Sequence, residues 1–450
     1  MISSIIKLVL ISVSVSILAV STVSATNILI LNNDDFGEGL NDSTVVAPVP
    51  GNSATRLGAQ YLNVFRAAAA YWEQRLDSPV DIRVRAQLNP LFCTTFSATL
   101  GSAGPAGLFR DFINAPIGNT WFTPAQANSL AGFDLDSGND DINMQFNSNI
   151  GSPGCFSNRP WWLGINSPAP LGTVSFYDTV LHELAHGLGF STFVSSTGQR
   201  RGNINDVFML NLFDLSLGLS WSDMNNAQRA ISSVNTGNLV WSGAQVNQNA
   251  GSLNSGVNAD HVQIYAPDIF QGGSSLSHWD IELSPNELME PFATLTSNDC
   301  STVSAFQDMG WNTKVSPGEL NFSRSAYTGF ETVGSVNVTV TRGSFCDGFP
   351  IGVTVSSSDV SAVSGSDYSG ISQTLSWAAG DTSSRTISIP IVDDGFEDGG
   401  ETFTVSLSNL TGNATLGNIA TATVTIQDEP DEELCFPIRA ANGNVAVVCL

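Results

Sequence analysis

The run His182-Glu183-Leu184-Ala185-His186-Gly187-Leu188-Gly189-Phe190 constrains this chain more than any other stretch. Two histidines four residues apart share one helix face, one turn apart, where both imidazoles can grip a single zinc ion. Glu183 then points beside the metal rather than at it. The chain has four histidines, and this run holds two of them. A bare pair of this kind also arises by chance in unrelated helices, so the remaining residues have to support it.

Residues 1–25 carry one cation, Lys7, an apolar and Ser-rich stretch from Leu8 to Val20, and Val23-Ser24-Ala25 ahead of Thr26. This reads as a secretory signal peptide. No later run reaches the roughly 20 apolar residues that span a bilayer, so a soluble, secreted or extracellular protein is expected, with cell-surface retention left open. Loss of Lys7 with the leader leaves 15 basic residues against 41 acidic ones, a formal charge of −26, with Lys314 the remaining lysine. Such a surface repels nucleic acid and anionic membranes and attracts divalent cations. The expected partners are therefore protein or peptide substrates, with no nucleic acid and no membrane span. Six cysteines in an exported chain read as disulfides, although spacing does not give connectivity. Cys93–Cys155 and Cys435–Cys449 are the local pairings, leaving Cys300–Cys346 to tie two domains together.

Composition changes near Lys314-Val315-Ser316-Pro317-Gly318, which divides the chain into residues 26–313, 314–430 and a tail at 431–450. The first domain opens with a Gly/Asp/Asn-rich segment to about Asn52, either a surface arm or part of the fold. A helix is predicted from about Leu57 to Leu76, with Leu62, Phe65, Ala69, Trp72 and Leu76 on one face. Strict alternation predicts half-buried strands at Val80–Ala86 and through Ile142, Met144 and Phe146. The metal-bearing helix should run from about Ser175 to Leu188, with Gly187 and Gly189 allowing it to stop. After the boundary, strand candidates at Ser335–Thr341, Ile351–Ser356, Thr386–Ile391, Thr402–Ser408 and Thr421–Ile426 have the texture of an antiparallel sandwich. The tail is acidic at first and then carries Cys435 and Cys449.

A catalytic zinc needs a third protein ligand and a position left for water. The compact pattern HExxHxxGxxH would place that ligand at residue 192, which is Thr192. His261 and His278 remain as histidine candidates, with Asp206 or Asp214 as carboxylate alternatives. His278 lies in Ser277-His278-Trp279-Asp280, and Asn286-Glu287-Leu288-Met289-Glu290-Pro291 follows. Taken in order, these motifs resemble leishmanolysin-type metalloproteases, a metzincin branch in which an insertion separates the metal helix from the third histidine. The resemblance spans about 55 to 312. It implies that His182, His186 and His278 bind one catalytic Zn2+, that Glu183 is the general base, and that Met289 lies beneath the metal. The function implied is a secreted zinc-dependent endopeptidase, in which Glu183 takes a proton from the attacking water and returns it to the leaving amine. Asp280 either orients a ligand histidine or is an ordinary surface acid. The strand at Ile142–Phe146 could pair with extended substrate. The resemblance also implies latency. The 30 or so residues after the leader hold no cysteine, which leaves Asp34 or Asp35 as possible caps on the zinc.

Gly365-Ser366-Asp367-Tyr368, Ile391 through Asp398, Glu401-Thr402-Phe403 and Asp428-Glu429 resemble a Calx-beta domain, the calcium-binding, immunoglobulin-like sandwich of sodium–calcium exchangers. Hard oxygen ligands from several loops at one end of a sandwich suit Ca2+. The resemblance implies Glu331, Asp367, Asp393, Asp394, Glu397, Asp428 and Glu429 as calcium ligands. The expected architecture is an α+β metzincin-like catalytic domain followed by an all-β Calx-beta sandwich. The competing expectation is a calcium-dependent adhesin or matrix-binding protein whose metalloprotease-like domain is inactive.

Overall fold

A computed structural model describes residues 26–450 apart from 166, 249, 293–297, 315–317, 344–349, 379–380, 394, 396–398, 413, 429–434, 440–444 and 450, with backbone alone at 252, 435–439 and 445–449. The expected leader, Cys346, Asp394, Glu397 and Glu429 lie outside the described residues.

The first domain is mixed α/β. Its frame consists of β1 (Ile28–Asn32), α1 (Leu57–Glu73), β2 (Ile82–Asn89), β3 (Gly101–Pro105), α2 (Pro124–Ala131), β4 (Ile142–Asn147), α3 (Phe176–Leu188) and α4 (Cys300–Asp308). The sheet order is β1-β2-β4-β3, with the first three strands parallel and β3 antiparallel at the edge. Alternation buries Ile82, Val84, Ala86 and Leu88 on β2 and Ile142, Met144 and Phe146 on β4. Helix α1 covers that face with Phe65, Ala68, Ala69 and Trp72, and the Trp72 indole N–H donates to the Leu181 carbonyl of α3 at 3.1 Å. Each such large apolar side chain contributes about 1.5–3 kcal/mol by leaving water.

One local expectation is corrected, and one alternative left open is decided. Ile142–Phe146 lies between β2 and β3 and has no free edge, because alternation reports which faces are buried and not which neighbours pair. The edge strands are β1 and β3, and the edge beside Glu183 is that of β3. The Gly/Asp/Asn-rich opening is no arm, since β1 pairs with β2 from Ile28↔Ile82 to Asn32↔Ala86. The Asp34 carboxylate then accepts the amides of Leu40 and Leu88 at 2.7 and 2.8 Å, so it is engaged in the fold rather than at the histidines.

Helix α3 starts at Ser175, whose Oγ accepts the Asp178 amide at 3.1 Å. It ends at Gly189, whose φ of +130° ordinary side chains rarely adopt. Gly187 is not a stop signal. A Cβ there would meet Ile142 Cγ2 at 2.3 Å, so the glycine lets the helix lie directly on β4. The chain closes on its own beginning. A buried Arg75–Asp299 ion pair ties the end of α1 to the start of α4, and the Lys314 ammonium donates to Thr26 Oγ1 and the Glu73 carbonyl, both at 3.0 Å. The composition boundary at Lys314 is this closing point.

The second domain has β5 (Glu319–Phe322), β6 (Ala326–Phe330), β7 (Ser335–Arg342), β8 (Ile351–Asp359), β9 (Ser372–Trp377), β10 (Arg385–Pro390), β11 (Glu401–Thr411), β12 (Thr415–Leu416) and β13 (Thr421–Gln427). They form two sheets, β10-β7-β5-β12 and β6-β13-β11-β8-β9. Val336, Val338 and Val340 on β7 and Phe403, Val405 and Leu407 on β11 point into the core. All five strands expected from alternation are present. Strands β5, β6, β9 and β12 are additional, because short polar or Gly-bearing strands carry little periodicity.

The Cys93–Cys155 disulfide is formed. Cys435 and Cys449 are backbone partners in a two-stranded ladder, and Cys300 is buried at the start of α4. No helix among the described residues is long and apolar enough to cross a membrane.

Replacing Gly187 with alanine should lower unfolding free energy by about 1–3 kcal/mol, as forced overpacking does. Gly104→Ala, on the open edge where nothing lies within 4 Å, should change it by less than about 1 kcal/mol. Urea titration checks both, and equal effects would refute the close-approach role.

Candidate metal centre

Helix geometry places His182 and His186 on one face of α3, and the segment after Ser274 brings His278 to meet them. The three Nε2 atoms lie 3.1 Å (182–186), 3.1 Å (182–278) and 3.2 Å (186–278) apart. Each Nδ1 faces a backbone carbonyl: Leu288 for His182 at 2.8 Å, Phe190 for His186 at 2.8 Å, and Ser274 for His278 at 2.7 Å. A carbonyl only accepts, so each Nδ1 carries the proton and each Nε2 presents a lone pair. Three lone pairs this close repel one another, and a cation reverses that repulsion. A tetrahedral metal with bonds of about 2.0–2.1 Å spaces its ligand nitrogens about 3.3 Å apart, so this donor set fits one. Among the described residues, these three histidines are the group whose ligating atoms all lie within 4.8 Å.

The environment keeps the rings neutral. Burial lowers the His182 pKa to about 4, with the Leu288 carbonyl opposing. Burial and then the neighbouring His182 take His186 to about 3. His278 is held well below the usual histidine range by burial and by the other two rings.

Glu183 lies on the same helix between the two histidines, 8% exposed. Burial pushes its carboxyl up to about 8, against the opposing hydrogen bond from the Ala103 amide of β3. A Cβ at Gly101 would come within 3.2 Å of Glu183 Cγ, so glycine on β3 lets the edge strand pass directly over this carboxylate.

The alternative third ligands are committed elsewhere. His261 Nδ1 contacts Asn247 Nδ2 at 2.7 Å. Asp206 accepts the amides of Phe193 and Met209 and the Thr192 hydroxyl. Asp214 accepts Ser216, Leu217 and Asn235. Thr192, where the compact pattern would have its third histidine, donates its amide to Ser277 Oγ at 3.1 Å, next to His278. Met289 is fully buried and follows Leu288, whose carbonyl holds His182, while its own carbonyl accepts the Trp279 amide at 2.9 Å. Asp280 is 4% exposed and accepts the Glu282 amide, so it is no surface acid. The carbonyls of Phe190, Ser274 and Leu288 and the Ala103 amide carry no side-chain signature, and no sequence signal could have found them.

At one end of the sandwich, backbone bonds join the acidic loops. The Val392 amide donates to the Asp367 carbonyl at 2.9 Å, Ile391 to Gly334 at 3.1 Å beside the Glu331 turn, and Gly399 to Asp428 Oδ2 at 2.8 Å. The carboxylates are held by local amides, Asp367 by Val363 and Asp393 by Gly395. Among the described residues, no three of these acids converge within ligating distance.

Residues 314–430 match the family model of the Calx-beta domain. No curated protein matches the chain. Among solved structures it is similar to the apo-form Calx CBD1 domain, at 26% identity over 25% of this chain and 98% of that one, with a TM-score of 0.24. It is also similar to the calcium binding domain CBD12 of CALX1.1, at 27% identity over 24% of this chain and 45% of that one, with a TM-score of 0.23. The family match begins beyond the three histidines and takes in both sheets of the second domain. Residues 314–430 of this chain are a Calx-beta domain.

Proposed function

We propose that this protein is a secreted zinc-dependent endopeptidase of the leishmanolysin-like metzincin type, with a Calx-beta domain that binds calcium. The observation that carries the reading is the convergence of three neutral imidazole Nε2 atoms beside a buried glutamate and under a free strand edge. The ordered HExxHxxGF, SHW and ELMxP motifs support the family reading. His182, His186 and His278 would hold the zinc, which would supply Lewis acidity toward a scissile carbonyl and an attacking water. Glu183 takes the water proton and returns it to the amine nitrogen as the C–N bond breaks. A carboxyl whose proton affinity sits near neutrality can do both. Extended substrate adds to the edge of β3, next to Glu183, through backbone hydrogen bonds.

Purified protein should carry about one zinc per chain and cleave casein, and chelation should abolish the cleavage. Glu183→Gln should lower turnover about 10²–10⁴-fold while keeping the metal. His278→Ala should lose metal and turnover together. Zinc analysis beside a casein assay decides the matter, and full turnover by Glu183→Gln would sink the proposal.

Calcium binding is proposed from the match to the Calx-beta family. Glu331, Asp367, Asp393 and Asp428 are the described ligand candidates, with Asp394, Glu397 and Glu429 from the same loops. Saturation at 100 times the dissociation constant should stabilise the sandwich by about 2.7 kcal/mol. Calorimetry of the full chain should show the calcium-dependent rise, and Asp367→Asn with Asp393→Asn should remove it. The Calx-beta domain also favours a second reading, a calcium-dependent adhesin. Calcium-dependent attachment to cells or polysaccharide by a zinc-loaded chain that cleaves no protein would establish that reading instead.

A further inference from the structure

Just past α3 the chain makes a tight hairpin, next in sequence to residues that hold the histidine cluster. Phe193 lies three residues beyond Phe190, whose carbonyl holds His186, and Thr192 is bonded to the residue before His278. The hairpin is closed by a Val194↔Arg200 bridge and by the Ser195 amide on the Gln199 carbonyl at 2.9 Å. It is pinned from behind. Arg229, 1% exposed, donates its Nε–H to the Gly198 carbonyl at 2.8 Å, and a Cβ at Gly198 would strike the Asn226 carbonyl oxygen at 2.0 Å. The indole N–H of Trp121 donates to the Arg201 carbonyl at 3.0 Å.

The hairpin frames an open cavity of about 370 Å³ lined by Phe193, Ser195, Gln199, Arg200, Arg201 and Gly202. Its charge is opposite to that of the molecule. On a chain of net charge −25, two adjacent guanidiniums line one cavity with a third buried behind them. Among the described residues, none of the three makes an ion pair. Among the described residues, the Arg200 side chain has one polar contact, from its Nη1 to Asn205 Oδ1 at 2.6 Å, while its buried Nε–H has no hydrogen-bond partner. A buried donor left unmade is costly, and a planar carboxylate satisfies a guanidinium fork two bonds at a time.

We propose that this hairpin is a carboxylate-binding subsite, with Arg200 and Arg201 selecting acidic peptides for the histidine site. The substrate class named here rests on the peptidase reading, whereas the binding of a carboxylate by the hairpin does not. Recognition is short-ranged, because a Debye length of about 8 Å at physiological salt screens the acidic surface beyond the cavity.

The test uses the full-length Glu183→Gln chain and fluorescent peptides in matched pairs: a glutamate peptide against its glutamine isostere, and a free C-terminal carboxylate against its amide. Anisotropy should show the carboxylate member of at least one pair binding about tenfold tighter or more, with the preference shrinking as salt rises. The pair that responds identifies a side chain or a chain end as the source. Arg200→Gln with Arg201→Gln should erase the preference. Arg201→Gln alone, on an exposed side chain, should reduce it with an unchanged unfolding midpoint, and Arg200→Lys should keep part of it. Equal binding within both pairs, or a preference that survives the double substitution, overturns the subsite. Carboxylate-selective binding by a zinc-loaded wild type that cleaves nothing upholds the subsite and ends the peptidase reading. Cleavage with no acid preference does the reverse.

Discussion

The structure turns on three hydrogen bonds that hold no metal themselves. The carbonyls of Leu288, Phe190 and Ser274 each take the Nδ1 proton of one histidine, and so fix which nitrogen of each ring stays bare. These carbonyls come from three separate places: the turn before Met289, the residue just past α3, and the loop that delivers His278. A ligand set built this way is preorganised by backbone. Side-chain rotamers alone would leave each ring free to turn its protonated edge inward. Burial then removes the competing protonated state, which is why all three pKa values move down. The folding of the first domain and the chemistry of its site are thus one problem, because the strands, α3 and the Met289 turn must all be in place before the three lone pairs meet.

Much of this arrangement was legible in the residues, and the parts that were not share a cause. The i, i+4 spacing of His182 and His186 and the alternation of β2 and β4 report local geometry, and local geometry survives into the fold. The third histidine of the cluster could be named through the order of several motifs but not through spacing, since Asp206, Asp214 and His261 were chemically equivalent options. Their true occupations, as acceptors of amides, hydroxyls and an asparagine, are tertiary facts. The misplacement of the open sheet edge has the same origin. Periodicity distinguishes the faces of β4, whereas the identity of a strand's neighbours is decided by topology. Gly187 read as a terminator because glycine does end helices. Its close approach to Ile142 requires knowing that β4 lies beneath.

The sandwich shows the opposite balance. Its core was legible from alternating Val, Ile and Phe, and its acidic loops from composition. Hydrogen bonds from backbone amides bring the loops of Glu331, Asp367, Asp393 and Asp428 to the same end, yet the Asp367 and Asp393 carboxylates are turned to nearby amides. Composition specifies how many oxygen donors can gather at an end. Only the local turns decide which way each of them faces.

The bond between the Thr192 amide and Ser277 Oγ joins residues 85 positions apart. It works as a clasp at the neck of a long excursion that also returns to the core, where Phe208 and Trp241 pack on Phe190. Closing such a loop costs little more than closing one half its length, because the entropy grows only with the logarithm of the span. The excursion's exposed turns can therefore lengthen or shorten at little cost, whereas Ser274 and the buried Phe208 and Trp241, which touch His278, Phe190 and Trp279, are fixed by the site. The hairpin with Arg200 and Arg201 lies inside the excursion. One amide–hydroxyl contact thus sets a common base from which both the histidine cluster and the arginine hairpin are built.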